Sequence, residues 1–117
     1  MKQKVHSVSY LAKAEFEFKN GVYDLVALPT GAEVVKVSLE VVGNLTAGTV
    51  MVGFKDETNK NYFLEYTASS KNATSAKDYT ATSNKVVVAE VKNANQKDVK
   101  GVLRVLYFLP SVIEVEY

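Results

Sequence analysis

His6 is the only histidine in this chain, and there is no cysteine. A nucleophilic triad or an imidazole-bound metal would have to be built on that single ring. Catalytic and metal-bound histidines need partners that orient them, and His6 stands in a short strand-like stretch with no second ligand nearby. Disulfides, thiolate metal sites and cysteine nucleophiles are excluded outright. Carboxylates recur as i,i+2 pairs, Glu15 with Glu17 and Glu114 with Glu116. Two-carboxylate acid–base chemistry needs a cleft that makes their environments unequal, whereas alternation along a wet strand face explains both pairs without chemistry. Asp56, Glu57 and Asn59 lack the spacing of a calcium loop and read as a solvated turn. The glycines Gly21, Gly31, Gly43, Gly48, Gly53 and Gly101 nowhere form a phosphate cradle before a helix. Asn44-Leu45-Thr46 and Asn72-Ala73-Thr74 match the glycosylation sequon, a pattern common by chance. Tyr62, Tyr66, Tyr79 and Tyr107 are the aromatics from which a sugar-binding platform would be drawn, but strand aromatics serve more often in cores and interfaces. No catalytic, cofactor-binding or metal residue is assigned, no cofactor is expected, and the chain is expected not to be an enzyme.

Composition narrows the class further. The 117 residues carry 14 Lys+Arg against 13 Asp+Glu, a net charge of +1, and 47% of them are hydrophobic. That length fits one domain, expected to span 1–117, with enough core to fold without staples. Nucleic-acid binders show clustered basic residues. Here the charge is balanced, and Arg104 is the only arginine, so no nucleic-acid partner is expected. Absent cysteines favour folding in a reducing cytoplasm. The start, Met-Lys-Gln-Lys-Val-His, has no apolar stretch after its basic residues, so no signal peptide is expected. No apolar run reaches the ~18 residues of a membrane helix, and no membrane partner is expected.

What would position any site is a series of strands. Residues 33–42, Glu-Val-Val-Lys-Val-Ser-Leu-Glu-Val-Val, give the longest strand signal. Alternation places Val35, Val37, Leu39 and Val41 on one face, with Val34, Lys36, Ser38, Glu40 and Val42 on the other. Residues 14–19 put Phe16 and Phe18 inward and Glu15, Glu17 and Lys19 in water. Asn20-Gly21 suits a hairpin turn back into a strand over 22–27. In the turn at 28–32, Pro29 at the second position and Gly31 at the fourth suit type I geometry. Further strands are expected at 5–10, 49–55, 62–66, 85–91, 101–109 and 112–117. The strand at 101–109 is apolar on both faces apart from Arg104, as befits a central or doubly covered strand. The polar stretch 67–78, from Thr67 to Asp78, is expected to be a surface loop, and loops of about that length are often functional. No segment carries a helical stripe. About eight or nine short strands with turn signals between them imply an all-β fold, an antiparallel β-sandwich of jelly-roll or Ig-like type.

The two ends invite a specific pairing. Lys2, Lys4 and His6 share one face of the first strand, and Glu114 and Glu116 share one face of the last. Opposite charges across adjacent strands are favourable by up to about 1 kcal/mol. These strands are therefore expected to lie side by side, within one subunit or between two.

The run Tyr23-Asp24-Leu25-Val26-Ala27-Leu28-Pro29-Thr30-Gly31-Ala32-Glu33-Val34-Val35-Lys36-Val37, with the later Gly48-Thr49-Val50-Met51-Val52-Gly53, resembles a recurrent pattern in small virion proteins of tailed bacteriophages. There a strand ends in a Leu-Pro-Ala-Gly-Ala-like turn, a valine-rich strand follows, and then a Thr/Val-Gly strand; here Thr30 replaces the usual alanine. The resemblance covers about a third of the chain. It implies a structural protein of the capsid decoration (cement) or head-fibre type. Such a protein is made in the host cytoplasm and carried on the capsid surface, bound to the major capsid protein or a fibre. It implies a homo-oligomer as well, for which a trimer is one expected form. The alternative from another class is a carbohydrate- or receptor-binding module of a tail fibre or cell surface.

Overall fold

The computed structural model describes residues 1–43, 47–67, 72–94 and 99–116. Among these residues eleven strands follow one another: β1 (Lys2–His6), β2 (Ser9–Glu17), β3 (Gly21–Leu28), β4 (Glu33–Val42), β5 (Thr49–Phe54), β6 (Leu64–Thr67), β7 (Asn72–Ser75), β8 (Tyr79–Thr80), β9 (Lys85–Lys92), β10 (Lys100–Phe108) and β11 (Val112–Glu116). The described residues contain no helix, hence none long and apolar enough to cross a membrane. The all-β antiparallel reading is borne out.

Two sheets face each other. One has the order β2-β10-β4-β7, with β8 also paired to β4, and the other has the order β3-β9-β5-β6. The chain passes between sheets from β2 to β3, from β3 to β4 and from β4 to β5, so each sheet mixes early and late strands. Of the two expected sandwich forms, this interleaving is that of a jelly roll. The inner faces supply the core. Phe18, Leu28, Val34, Val37, Leu39, Val50, Val52, Phe54, Val87, Val91 and Leu103 are all shielded from water, and burying each such side chain contributes roughly 1.5–3 kcal/mol. Phe54 anchors one end of the core, its ring 4.5 Å from Tyr79, 5.2 Å from Tyr62 and 5.3 Å from Phe63.

Several local expectations are corrected. Asn20-Gly21 does not close a hairpin, because β2 and β3 lie in different sheets. The segment is a corner: Phe18 is sunk in the core, and the Asn20 side chain accepts the Ala94 N–H at 2.8 Å. The proline turn starts one residue later than expected. Ala32 N–H donates to the Pro29 carbonyl at 3.1 Å, and Gly31, now third in the turn, has φ +88°, which is the type II arrangement that calls for glycine. On β4, Val34 is 1% exposed and Val35 36%, the reverse of simple alternation. The register against β10 shifts between Leu106 and Tyr107, and this bulge turns Val34 inward alongside Val37, Leu39 and Val41.

The polar stretch 67–78 is not one loop. Residues 72–75 pair with β4, Glu40 opposite Asn72 and Val37 opposite Ser75, and residues 68–71 lie outside the described set. Backbone pairing along a sheet edge asks for no apolar face, so hydrophobic patterning is blind to β7. The two short strands β7 and β8 account for the excess over the expected count. The stretch expected as one strand at 5–10 is divided between β1 and β2.

On the outer side of the second sheet, the backbone returning from β5 lies over Gly53. A Cβ there would stand 2.7 Å from the Lys60 carbonyl carbon and 2.8 Å from the Tyr62 nitrogen. Both obstacles are backbone, so they cannot swing aside. Gly53→Ala is expected to destabilise the fold by about 1–3 kcal/mol, the cost of overpacking. A urea melt checks this, and an unchanged midpoint would contradict the stacking of 60–62 on the strand.

Candidate interaction surface

The long axis of the molecule comes from its ends. The first and last strands pair antiparallel, Lys2 with Glu116, Lys4 with Glu114 and His6 with Val112, so the expected terminal pairing holds within one chain. Lys2 Nζ stands 3.8 Å from Glu114 Oε1. The ribbon continues the β2–β10 pair beyond the sandwich, after an interruption at residues 109–111 on one strand and 7–8 on the other. With it, the molecule measures 55 × 24 × 17 Å and its radius of gyration is 15.7 Å, against about 13 Å for a compact chain of this length.

The root of the ribbon is anchored by specific contacts. Leu109 N–H donates to the Val8 carbonyl at 2.9 Å. His6 Nδ1 lies 2.9 Å from the Leu109 carbonyl, which can only accept, so Nδ1 carries the proton and donates. Gly31 packs against Pro110, where a Cβ would come within 2.7 Å of the ring. The turn of the Leu-Pro-Thr-Gly-Ala motif thus buttresses the point where the last strand leaves the sandwich. Beside it lies an open groove of about 260 Å³ lined by His6, Glu33, Val35 and Phe108.

Exposed apolar surface gathers at this end. Nine large hydrophobic side chains are exposed among the described residues, and only Val22 and Val42 lie away from the ribbon and its root. Leu11 is 62% exposed and Ile113 57%. Leu11 stands opposite Leu106 on the outer face of the first sheet. Farther along that face, Arg104 reaches Glu40 at 2.9 Å, and Val102 between Glu15 and Glu40 is only 5% exposed, sheltered beneath long charged side chains. The central-strand expectation for β10 holds. The sandwich covers itself at one end and leaves apolar surface open at the other, where an interface is the usual explanation.

The residues considered for chemistry do not converge. Glu17 pairs with Lys19 at 2.9 Å and Asp56 with Lys85 at 2.6 Å. Glu114 sits on the ribbon. Tyr66 and Tyr107 are buried, while Tyr62 and Tyr79 pack around Phe54, with Lys77 Nζ 3.8 Å above the Tyr62 ring; the four do not form an open platform. Among the described residues no three of His, Cys, Asp or Glu cluster as metal ligands. Asn44-Leu45-Thr46 lies outside the described residues, and Asn72-Ala73-Thr74 forms part of β7. The residues missed by sequence reasoning were the groove's Glu33 and Phe108, which only the ribbon's bend brings to His6.

No charged side chain is buried among the described residues, and this sets the pH response. The hydrogen bond from Lys19, then its charge, lowers the Glu17 pKa, and the hydrogen bond from Lys85 lowers that of Asp56. A depressed carboxylate stabilises the fold above its unfolded pKa and loses that effect as pH falls through the folded value. Both partner lysines are raised, chiefly by the same hydrogen bonds, so their contribution is complete below the unfolded lysine pKa and is lost in alkali. Burial raises the Tyr66 phenol, which likewise penalises the fold above about pH 10. Calorimetry is expected to show a melting temperature at pH 4 within roughly 5 °C of that at pH 7, and a steeper fall above pH 10. A collapse between pH 6 and 5 would contradict it.

No known family pattern matches the sequence, nor does any curated protein. Among solved structures, a chain of the acid-stable capsid structure of Helicobacter pylori bacteriophage KHP30 shares 76% identity, with 100% of both chains covered and a TM-score of 0.95. A chain of the cyanophage Pam1 capsid asymmetric unit shares the fold, at a TM-score of 0.67 and 21% identity over 87% of this chain and 85% of that one. An all-β sandwich that reproduces the KHP30 capsid chain along its whole length belongs to the same family, and it is a bacteriophage virion structural protein.

Proposed function

We propose that this chain is a capsid decoration, or cement, protein. It acts as one β-sandwich domain over 1–117, without catalytic, cofactor or metal residues, and works by protein–protein binding. It is made in the host cytoplasm, joins the capsid surface as a homo-oligomer such as a trimer, and binds the major capsid protein. The observation that carries this reading is the full-length likeness to a chain of an assembled capsid. The geometry supports it: open apolar surface is gathered at one end of the molecule, where a partner would cover it. The KHP30 capsid is acid-stable, and a protein with no buried charged side chain among its described residues suits such a particle.

The test is cosedimentation of the purified protein with shells assembled from the major capsid protein alone, alongside a glycan array. A decoration protein saturates the shells and shows no sugar preference. Saturable glycan binding with no shell binding would transfer the assignment to a carbohydrate- or receptor-binding module. Binding to a fibre or tail component instead of the shell would make it a head-fibre or tail protein.

A further inference from the structure

The ribbon is a two-stranded sheet that no third strand joins among the described residues. Two-stranded ribbons are marginal alone in water, and each outer edge of this one offers unpaired backbone groups. The edges differ in charge. β1, Lys-Gln-Lys-Val-His, carries Lys2 and Lys4 and no acid; β11, Val-Ile-Glu-Val-Glu, carries Glu114 and Glu116 and no base. Two ribbons meeting β1 to β1 would bring lysines together, and meeting β11 to β11 would bring glutamates together; like charges directly opposite are destabilising. Only β1 against β11 of another copy pairs unlike charges, as the register within one ribbon already does.

We infer that the ribbon is a self-assembly element: the free edge of β1 in one copy pairs with the free edge of β11 in the next, head to tail. Such contacts are heterologous and close into a ring of copies when the rotation permits. The ribbon's two faces agree with closure. Val5 stands opposite Ile113 on one face, and Lys4 opposite Glu114 on the other. A closed ring turns the Val5–Ile113 side inward, burying the exposed isoleucine, and leaves the lysine–glutamate side in water. The inference deepens the decoration reading, on which it rests, by naming a second copy of this chain as the ribbon's partner.

Zero-length carbodiimide cross-linking tests it on the unaltered protein. Isotopically light and heavy chains are refolded together, cross-linked and digested. The expected products join Lys2 or Lys4 of one isotope to Glu114 or Glu116 of the other, and light scattering gives a mass above the monomer. Cross-links confined to a single isotope would overturn the inference. Charge reversal supplies an independent arm. K2E/K4E and E114K/E116K are each expected to lose association, and the combined K2E/K4E/E114K/E116K chain to regain it, because only the combined reversal restores unlike charges both within a ribbon and between copies. Double variants that keep the full wild-type mass, with the sandwich melt as control for folding, would also overturn it. Shell binding by the wild type with single-isotope cross-links would defeat the ribbon pairing alone. Mixed-isotope cross-links without shell binding would defeat the decoration reading alone.

Discussion

Phe54→Ala is expected to lower the unfolding free energy by about 3–5 kcal/mol, the usual loss for emptying a buried phenylalanine site. Phe54 is fully shielded from water and touches the rings of Tyr62, Phe63 and Tyr79. Those rings arrive from the segment after β5 and from β8, so the truncation removes the common support of two connections as well as its own contacts. Collapse to fill the hole is resisted, because the surrounding valines come from rigidly paired strands. Urea denaturation reads the effect as a drop in midpoint at nearly constant slope. A loss below about 1 kcal/mol would mean that the aromatic cluster is peripheral.

Removing the ribbon is expected to do the opposite: little to the sandwich, much to assembly. Deletion of residues 1–6 together with 111–117 leaves β2 and β10 paired along their full register, since that ladder runs from Ser9 opposite Phe108 to Glu17 opposite Lys100. The melting temperature should move by only a few degrees, roughly the effect of 1 kcal/mol in a domain of this size. Association should weaken on the order of 100-fold, corresponding to about 3 kcal/mol. That is what a short backbone ladder supplies at about 0.5–1.5 kcal/mol net per hydrogen bond. Light scattering and shell cosedimentation measure the second effect. A truncated protein that assembles like the full chain would place the working surface on the exposed apolar positions that remain, Val8, Tyr10, Leu11, Val22, Val35 and Val42.

Much of this architecture was legible in the residues because burial dictates alternation. Phe16 and Phe18 point inward as read, and Leu103, Val105 and Tyr107 line the inner face of a central strand. The pairing of the ends was legible too, because lysines on one strand and glutamates on the other leave a charge signature of adjacency. What escaped was set by features that leave no periodic trace. The bulge beside Val35 shifts the phase near the start of a valine-rich strand, and no residue type there announces it. β7 holds by backbone hydrogen bonds to β4, and Asn72, Thr74 and Ser75 reveal nothing of that. Asn20-Gly21 has hairpin chemistry, yet Phe18 is needed in the core and draws the chain across to the other sheet. The groove at the ribbon root was invisible because Glu33 and Phe108, opposite each other across β4 and β10, are met by the sequence-distant His6 only where the ribbon leaves the sandwich near Pro110.

Amide hydrogen exchange on the free protein and on the same protein bound to shells tests the assembly claim most directly. In the free protein the β1 and β11 amides should exchange quickly, since an exposed two-stranded ribbon opens at little cost. In the particle those amides should become strongly protected, together with the segment around Leu11, while the already shielded core of β9 changes little. Ribbon amides that exchange equally fast in both states would contradict the account.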